Sequence, residues 1–206
     1  MGMTVSEVNK IKESTPASGI LPIIHQRWSA RAFSEKSVAV EDLKRVFEAA
    51  RWAPSSSNEQ PWRYIVGTRG TETHKRIFES LIGFNQQWAG KAPVLILGVA
   101  KATTSRNNTP NPYALYDLGA ATGFLVLQAT ALGLMTHQMG GFDREKARAL
   151  LAVPEGFDFG SVMALGYQDH PETLGNEELI KREMEPRQRK PLHEFVYASW
   201  GEELKL

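Results

Sequence analysis

The chain has 206 residues, 42% of them hydrophobic and 23% charged, enough for one globular domain with a sizeable core. Its 24 basic and 23 acidic residues leave a formal charge of +1, which gives no electrostatic reason to expect nucleic acid or an anionic membrane as the main partner. There is no cysteine, which excludes disulfides, thiol nucleophiles, thiolate zinc sites and all-cysteine iron–sulfur clusters, and fits a reducing cytoplasm.

Residues 1–20 are polar, with Pro16, Ser18 and Gly19 near their end, and read as a flexible arm with at most one weak helical turn. The first ten residues carry no long apolar run, so a secretory leader is not expected. Ile20 to Ile24 is apolar and leads into Arg27-Trp28-Ser29-Ala30-Arg31. In extended chain, side chains two apart point the same way, about 6.6 Å apart at ~3.3 Å per residue. Arg27, Ser29 and Arg31 then share one face while Trp28 and Ala30 turn to the core. Two guanidinium forks flanking a hydroxyl can clamp a phosphate, or they can be an ordinary solvated pair.

Val40 to Trp52 reads as an amphipathic helix, with Leu43, Val46, Phe47 and Ala50 at helical spacing and Glu41, Lys44, Arg45 and Glu48 on the wet side. Pro54 ends it, because proline lacks an N–H and restricts the preceding Ala53. Ser55, Ser56, Ser57 and Asn58 then place hydroxyls, an amide and backbone N–H groups in one short turn before Pro61 and Trp62 open a strand. Such a turn can hold a flat polar heterocycle by its edge. It can equally be a plain helix-to-strand connection, and residue types alone favour that.

Trp62 to Thr68 reads as a strand, Gly70-Thr71 as the start of a helix running to about Gly83-Phe84-Asn85, and Pro93 to Ala100 as a central strand buried on both faces. Lys101 to Pro112 is irregular, either a lid or a surface connection. Tyr113 to Leu134 is the longest helix candidate, without a charge from Leu118 to Met135. Gly119, Thr122, Gly123, Gln128, Thr130 and Gly133 dilute its apolarity too far for a membrane span, so it is expected to be buried, in its own core or against a second subunit. Leu134 to Met139 reads as a short strand, Asp143 as the cap of a further helix, and Ser161 to Gly166 as a buried strand. From Gln168 the chain is polar until Pro191, then ends with the spaced apolar residues Leu192, Phe195, Val196 and Trp200. Alternating helices and strands without repeats or a linker indicate one α+β or α/β domain.

No two glycines are spaced as G-x-G, and neither a phosphate-binding P-loop nor a G-x-S-x-G elbow is present. The five histidines form no His-Glu-x-x-His pattern, so no metal site is expected. His137, on a short apolar strand, reads as a satisfied core or interface histidine. From the residues alone, the sequence reads as an α/β domain with basic clamps and a polar turn, suited to a phosphorylated planar ligand.

Two segments in order, Arg27-Trp28-Ser29-Ala30-Arg31-Ala32-Phe33 and Ala50-Arg51-Trp52-Ala53-Pro54-Ser55-Ser56-Ser57-Asn58-Glu59-Gln60-Pro61-Trp62, resemble the flavin-dependent nitroreductase family. Asp117-Leu118-Gly119-Ala120-Ala121 running to Gly133-Leu134 resembles its central helix and following strand. Ala164-Leu165-Gly166-Tyr167 resembles its late strand, and Arg187-x-Arg189-x-Pro191-Leu192 its C-terminal phosphate contact.

The resemblance implies a single α+β domain over 1–206, three-layered, with a central mixed sheet between helices, and a domain-swapped homodimer in which the tail 168–206 packs on the partner. It implies FMN at the subunit interface. Arg27, Trp28, Ser29 and Arg31 would hold its phosphate and ribityl chain, joined by Arg187 and Arg189. Pro54, Ser55, Ser56 and Asn58 would reach the isoalloxazine from the other subunit, with Asn85, Gly140 and Gly141 against the ring. The implied activity is cytoplasmic NAD(P)H-dependent reduction of nitroaromatics, quinones or similar small acceptors, by ping-pong hydride transfer without a catalytic side chain. The alternatives are an FMN-storing dimer, a dehalogenase or a flavin-fragmenting variant.

Overall fold

The computed structural model describes residues 2–13 and 19–205. Thr4 caps α1 (Val5–Lys12) through a reciprocal box with Glu7. The expected flexible arm is therefore, in its first part, a capped helix. Val8 is fully buried, and the Trp28 indole N–H donates to Asn9 Oδ1 at 3.1 Å. Tertiary packing fixes a segment too polar to predict; Pro16 and Ser18 lie outside the described residues. Pro22 starts the short α2 (Pro22–Gln26), after which the chain is extended to Phe33.

The helix α3 (Val40–Arg51) buries Val46 and Ala50, as its periodicity predicts, and delivers the Ser-rich turn to β1 (Trp62–Thr68). Thr71 caps α4 (Glu72–Ser80), which stops earlier than expected. Leu81 leaves the helix to bridge Phe142, and a separate turn, α5 (Gly83–Gln86), follows. The strand β2 (Val94–Lys101) is buried along almost its whole length. It is followed by α6 (Ala114–Ala131), β3 (Met135–Met139), the Asp143-capped α7 (Arg144–Leu151) and β4 (Phe157–Gly166). Gly133 holds φ +72°, a left-handed position that glycine occupies without strain and that turns the end of α6 into β3.

These four strands form one sheet in the order β1-β2-β4-β3. The resemblance implied a mixed sheet, but every pair among the described residues is antiparallel. The reason is local. The connection from β1 to β2 begins and ends at the same end of the sheet, where the Arg69 amide donates to the Pro93 carbonyl at 2.8 Å, so β2 must run back beside β1. Alternate residues of β2 serve two cores. Leu95, Leu97 and Val99 face Trp28, Phe33 and Trp88, whereas Val94, Ile96 and Ala100 face Val46, Leu125 and Ala129. The result is the expected three layers, with α3 and α6 on one face and α4 and α7 on the other.

The polar tail divides in two. Pro171 and Leu174 are buried, and Asn176 caps α8 (Glu177–Met184), whose Leu179 and Glu183 lie inside the same subunit. The expectation that 168–206 packs as a unit on a partner thus fails for its first half: α8 has an apolar stripe that its own core takes. Beyond Met184 the chain is largely exposed and ends in a small hairpin, β5 (Tyr197–Ser199) with β6 (Glu202–Glu203), where Trp200 is 95% exposed. No described helix is long and apolar enough to cross a membrane. The helix α6 is buried on one side only: Tyr116 is 77% exposed, Leu115 and Phe124 are also open, and Gly119 and Gly123 face empty space.

Candidate functional site

The extended segment 27–33 lies along the β3 edge of the sheet. Its side chains alternate as expected, with Trp28 and Ala30 buried and Arg27, Ser29 and Arg31 on the other face. The segment is held by its backbone. The Ala30 carbonyl faces His137 Nδ1 at 3.0 Å, and the Ala32 carbonyl accepts from the Asp169 amide at 2.9 Å. The His137 ring packs against Trp88 with centroids 4.5 Å apart. Burial, reinforced by the charge of Arg31, pushes His137 down to about 4, so it is neutral at neutral pH. His137 is a satisfied histidine, as the sequence predicts.

Arg187 enters from the tail and clasps this segment from behind. Its Nη1 donates to the Arg27 carbonyl at 2.7 Å, its Nη2 to the His25 carbonyl at 2.5 Å, and its Nε to the Lys12 carbonyl. Arg189 follows on the exposed side, with Nη1 donating to the Gln188 carbonyl at 2.6 Å. Arg27 reaches Ser29 Oγ at 3.5 Å. Burial first, then the charges of Arg187 and Arg189, hold Arg27 below the usual guanidinium range. Among the described residues no carboxylate relieves Arg27, although Glu13 faces Arg187, so the charge gathered around Arg27 would stabilise an anion there. Arg31 lies beside Glu183, and its buried Nε has no acceptor among the described residues.

Further along the same edge, β3 ends at Gly140-Gly141. Asn85 Nδ2 donates to the Gly141 carbonyl at 2.9 Å, and a Cβ on Gly141 would lie 2.9 Å from that nitrogen and 3.0 Å from Ile82. Gly140 has open space where a Cβ would be. Asn85, Gly140 and Gly141 are therefore brought together, beside the clamp.

The turn with Pro54, Ser55, Ser56 and Asn58 is not. It precedes β1, at the opposite edge of the sheet, and three strand spacings of ~4.8 Å separate the edges by about 14 Å. The turn is internally built: the Gln60 amide donates to Ser55 Oγ at 3.0 Å, and Gln60 Nε2 to Asn58 Oδ1 at 3.1 Å. Ser57, Asn58 and Gln60 hold φ of 49°, 55° and 47°, left-handed values that non-glycine residues adopt at a cost. Two residues that sequence reasoning gave no role hold the two halves: Asp117 accepts from the Ser56 amide, and Glu183 from the Arg31 and Ala32 amides. The one signal for Glu183 is its place four residues after Leu179, on the buried stripe of α8.

The nitroreductase family model matches residues 24–87 and 81–167, most of the chain and both motif segments. The chain belongs to the nitroreductase family. An Archaeoglobus fulgidus protein named "Putative NADH dehydrogenase/NAD(P)H nitroreductase" is 32% identical over 151 residues, 71% of this chain and 84% of that protein. A Thermotoga neapolitana protein named iodotyrosine deiodinase is 23% identical over 168 residues, 71% of this chain and 87% of its own length. A solved oxidoreductase described as containing FMN superposes with a TM-score of 0.85 at 31% identity, covering 91% of this chain and 95% of that one. The nitroreductase-type fold is thus shared by close and distant relatives. The residues here fit a phosphorylated ligand at Arg27, which no described carboxylate faces, and a flat ligand at Gly140, where a Cβ would meet nothing within 4 Å.

Proposed function

We propose that this nitroreductase-family protein is a cytoplasmic FMN-dependent homodimer that oxidises NADH or NADPH and reduces a nitroaromatic, quinone or similar small acceptor. The observation that carries the reading is that Arg27, Ser29 and Arg31 share one outer face, with Arg187 bound to the Arg27 carbonyl and no described carboxylate opposing Arg27. When bound, FMN would supply the redox chemistry that links nicotinamide oxidation to reduction of the second substrate in ping-pong order.

The chain's own residues bind and orient. Arg27, Ser29 and Arg31 offer donors to the phosphate and the adjoining ribityl chain, with Trp28 packed beneath them. Arg189 adds charge, and Arg187 fixes the Arg27 carbonyl so that the Arg27 side chain stays on the outer face. Gly140 and Gly141 leave room for the flavin ring, and Asn85 holds the Gly141 carbonyl in place. The turn with Pro54, Ser55, Ser56 and Asn58 serves the site of the other subunit, since its own clamp lies across the sheet. The open apolar face of α6 and the exposed tail aromatics supply surface for that subunit. No side chain of the site is required as an acid or base.

The relative named for deiodination supports a second reading, reductive removal of halide from a halophenol. FMN storage without turnover and fragmentation of the flavin are the remaining alternatives. The test is the visible spectrum of the purified protein with FMN, recorded anaerobically before and after NADH and then NADPH, followed by a nitroaromatic, a quinone and a halotyrosine. Bleaching by a nicotinamide and recovery with the nitroaromatic or quinone is the expected result. Bound flavin that neither donor bleaches would overturn the reductase reading, and turnover of the halotyrosine alone would favour the second.

A further inference from the structure

Glu183 is fully buried, an expensive place for a carboxylate unless its oxygens are used. Their use is uneven. Oε1 accepts from two successive amides of the clamp segment, Arg31 N at 2.8 Å and Ala32 N at 3.0 Å. Oε2 makes no hydrogen bond and stands 3.8 Å from Arg31 Nη1. Arg31 Nε, also buried, has no acceptor among the described residues. A bidentate pair would have satisfied both groups and spent the guanidinium fork on the carboxylate. Here the carboxylate grips the backbone instead, and the Arg31 guanidinium, faced by the charges of Glu183, Arg182 and Glu185, is left short of hydrogen-bond acceptors among the described residues.

The helix carrying Glu183 is itself pinned. Lys12 Nζ donates to the Arg182 carbonyl at 3.4 Å and the Glu185 carbonyl at 2.5 Å, which ties the end of α8 to α1. Burial pushes the Glu183 carboxyl above its usual range, and the Ala32 and Arg31 amides, with the charges of Arg31 and Lys12, oppose that shift only in part. Glu183 thus fixes the height and rotation of residues 31–32 from a pinned helix while making no hydrogen bond to the Arg31 guanidinium.

We propose that Glu183 is a positioning residue for the anion clamp: by anchoring the Arg31 and Ala32 amides and leaving the Arg31 fork unspent, it sets the preference for a phosphorylated flavin over the same flavin without its phosphate. This deepens the FMN reading above and rests on it.

The experiment is fluorescence-quenching titration of the full-length apoprotein with FMN and, separately, riboflavin, for the parent, Glu183→Ala, Glu183→Gln, Glu183→Asp and Arg31→Ala, with a melting temperature for each. Glu183→Ala is expected to weaken FMN roughly ten-fold or more and riboflavin less than about two-fold. Glu183→Gln, whose amide oxygen can still accept both N–H groups, is expected to recover most of the loss. If Glu183→Ala fails to fold, Glu183→Asp carries the test: it keeps the charge, draws the carboxylate back by one carbon, and should lower FMN affinity more than riboflavin affinity. A parallel loss of both flavins, or no loss of either, would overturn the proposal and leave Glu183 a purely structural group. If Arg31→Ala and the parent alike bind FMN no better than riboflavin, the phosphate reading of the clamp is what has failed.

Discussion

The Ser56 amide and the buried Asp117 carboxylate are joined by a 3.1 Å hydrogen bond across 61 positions of sequence. Asp117 sits in the first turn of α6, where the helix N-terminus favours a negative charge, and from there it fixes the start of the Ser-rich turn. Asp117→Ala leaves that N–H without its acceptor and is expected to cost about 1–3 kcal/mol, read as a lowered urea midpoint. Amide exchange across residues 56–60 should rise with it, and exchange confined to other segments would contradict the link.

The left-handed backbone of Ser57 gives a second prediction. Its φ of 49° is reached by glycine without penalty but opposed by a β-branched side chain. Ser57→Val should destabilise the protein by about 1–3 kcal/mol, while Ser57→Gly should stay within about 1 kcal/mol of the parent. Equal melting temperatures for the two variants would remove the case for strain in this turn.

Gly140 and Gly141 separate packing from ligand binding. Gly141→Ala drives a methyl against Asn85 and Ile82 and should lower stability in the absence of any ligand. Gly140→Ala meets nothing within 4 Å and should leave the apoprotein's melting temperature unchanged. If the flavin ring lies there, the same Gly140 variant weakens FMN binding several-fold in a quenching titration; unchanged affinity places the ring elsewhere.

His137 makes acid stability predictable in sign. Its folded value of about 4 lies below the usual histidine value, so between the two the unfolded chain binds a proton that the folded chain does not. Stability contributed by the neutral imidazole is complete above about pH 6.5 and falls as pH drops toward 4. Denaturant midpoints of the apoprotein should therefore fall over that range, and less steeply in His137→Gln. Because the charges of Arg31 and Arg27 help depress His137, filling the clamp with phosphate should raise its midpoint in a proton NMR titration.

The apolar face of α6 predicts assembly. Sedimentation equilibrium should give about 46 kDa, twice the 23.0 kDa chain. Phe124→Asp, on the open face, should shift the protein toward the monomer and reduce FMN affinity at low concentration, because the Ser-rich turn that completes each site would then be missing. A monomeric parent that binds FMN tightly would refute the shared site.

What the sequence determined by itself was local. The period of α3, the helix start at Thr71, the cap at Asp143 and the unbroken apolar run of β2 are each dictated within a few residues, so these elements were legible in order. The alternation of Arg27, Ser29 and Arg31 with Trp28 and Ala30 was legible for the same reason, since extended chain has a period of two. The family motifs were legible because both segments stand in their order. Only the tertiary structure decided the rest. It turned the polar N-terminal segment into a helix that Val8 and Lys12 dock against the body. It made the sheet antiparallel throughout the described strands, and it placed the clamp and the Ser-rich turn at opposite edges. It buried Glu183, whose type argues for exposure, because two backbone amides and the charges of Lys12 and Arg31 await it there. Those outcomes depend on pairings between residues tens to more than a hundred positions apart, and no local period or cap encodes which distant group will be present to satisfy a buried charge or close a sheet edge.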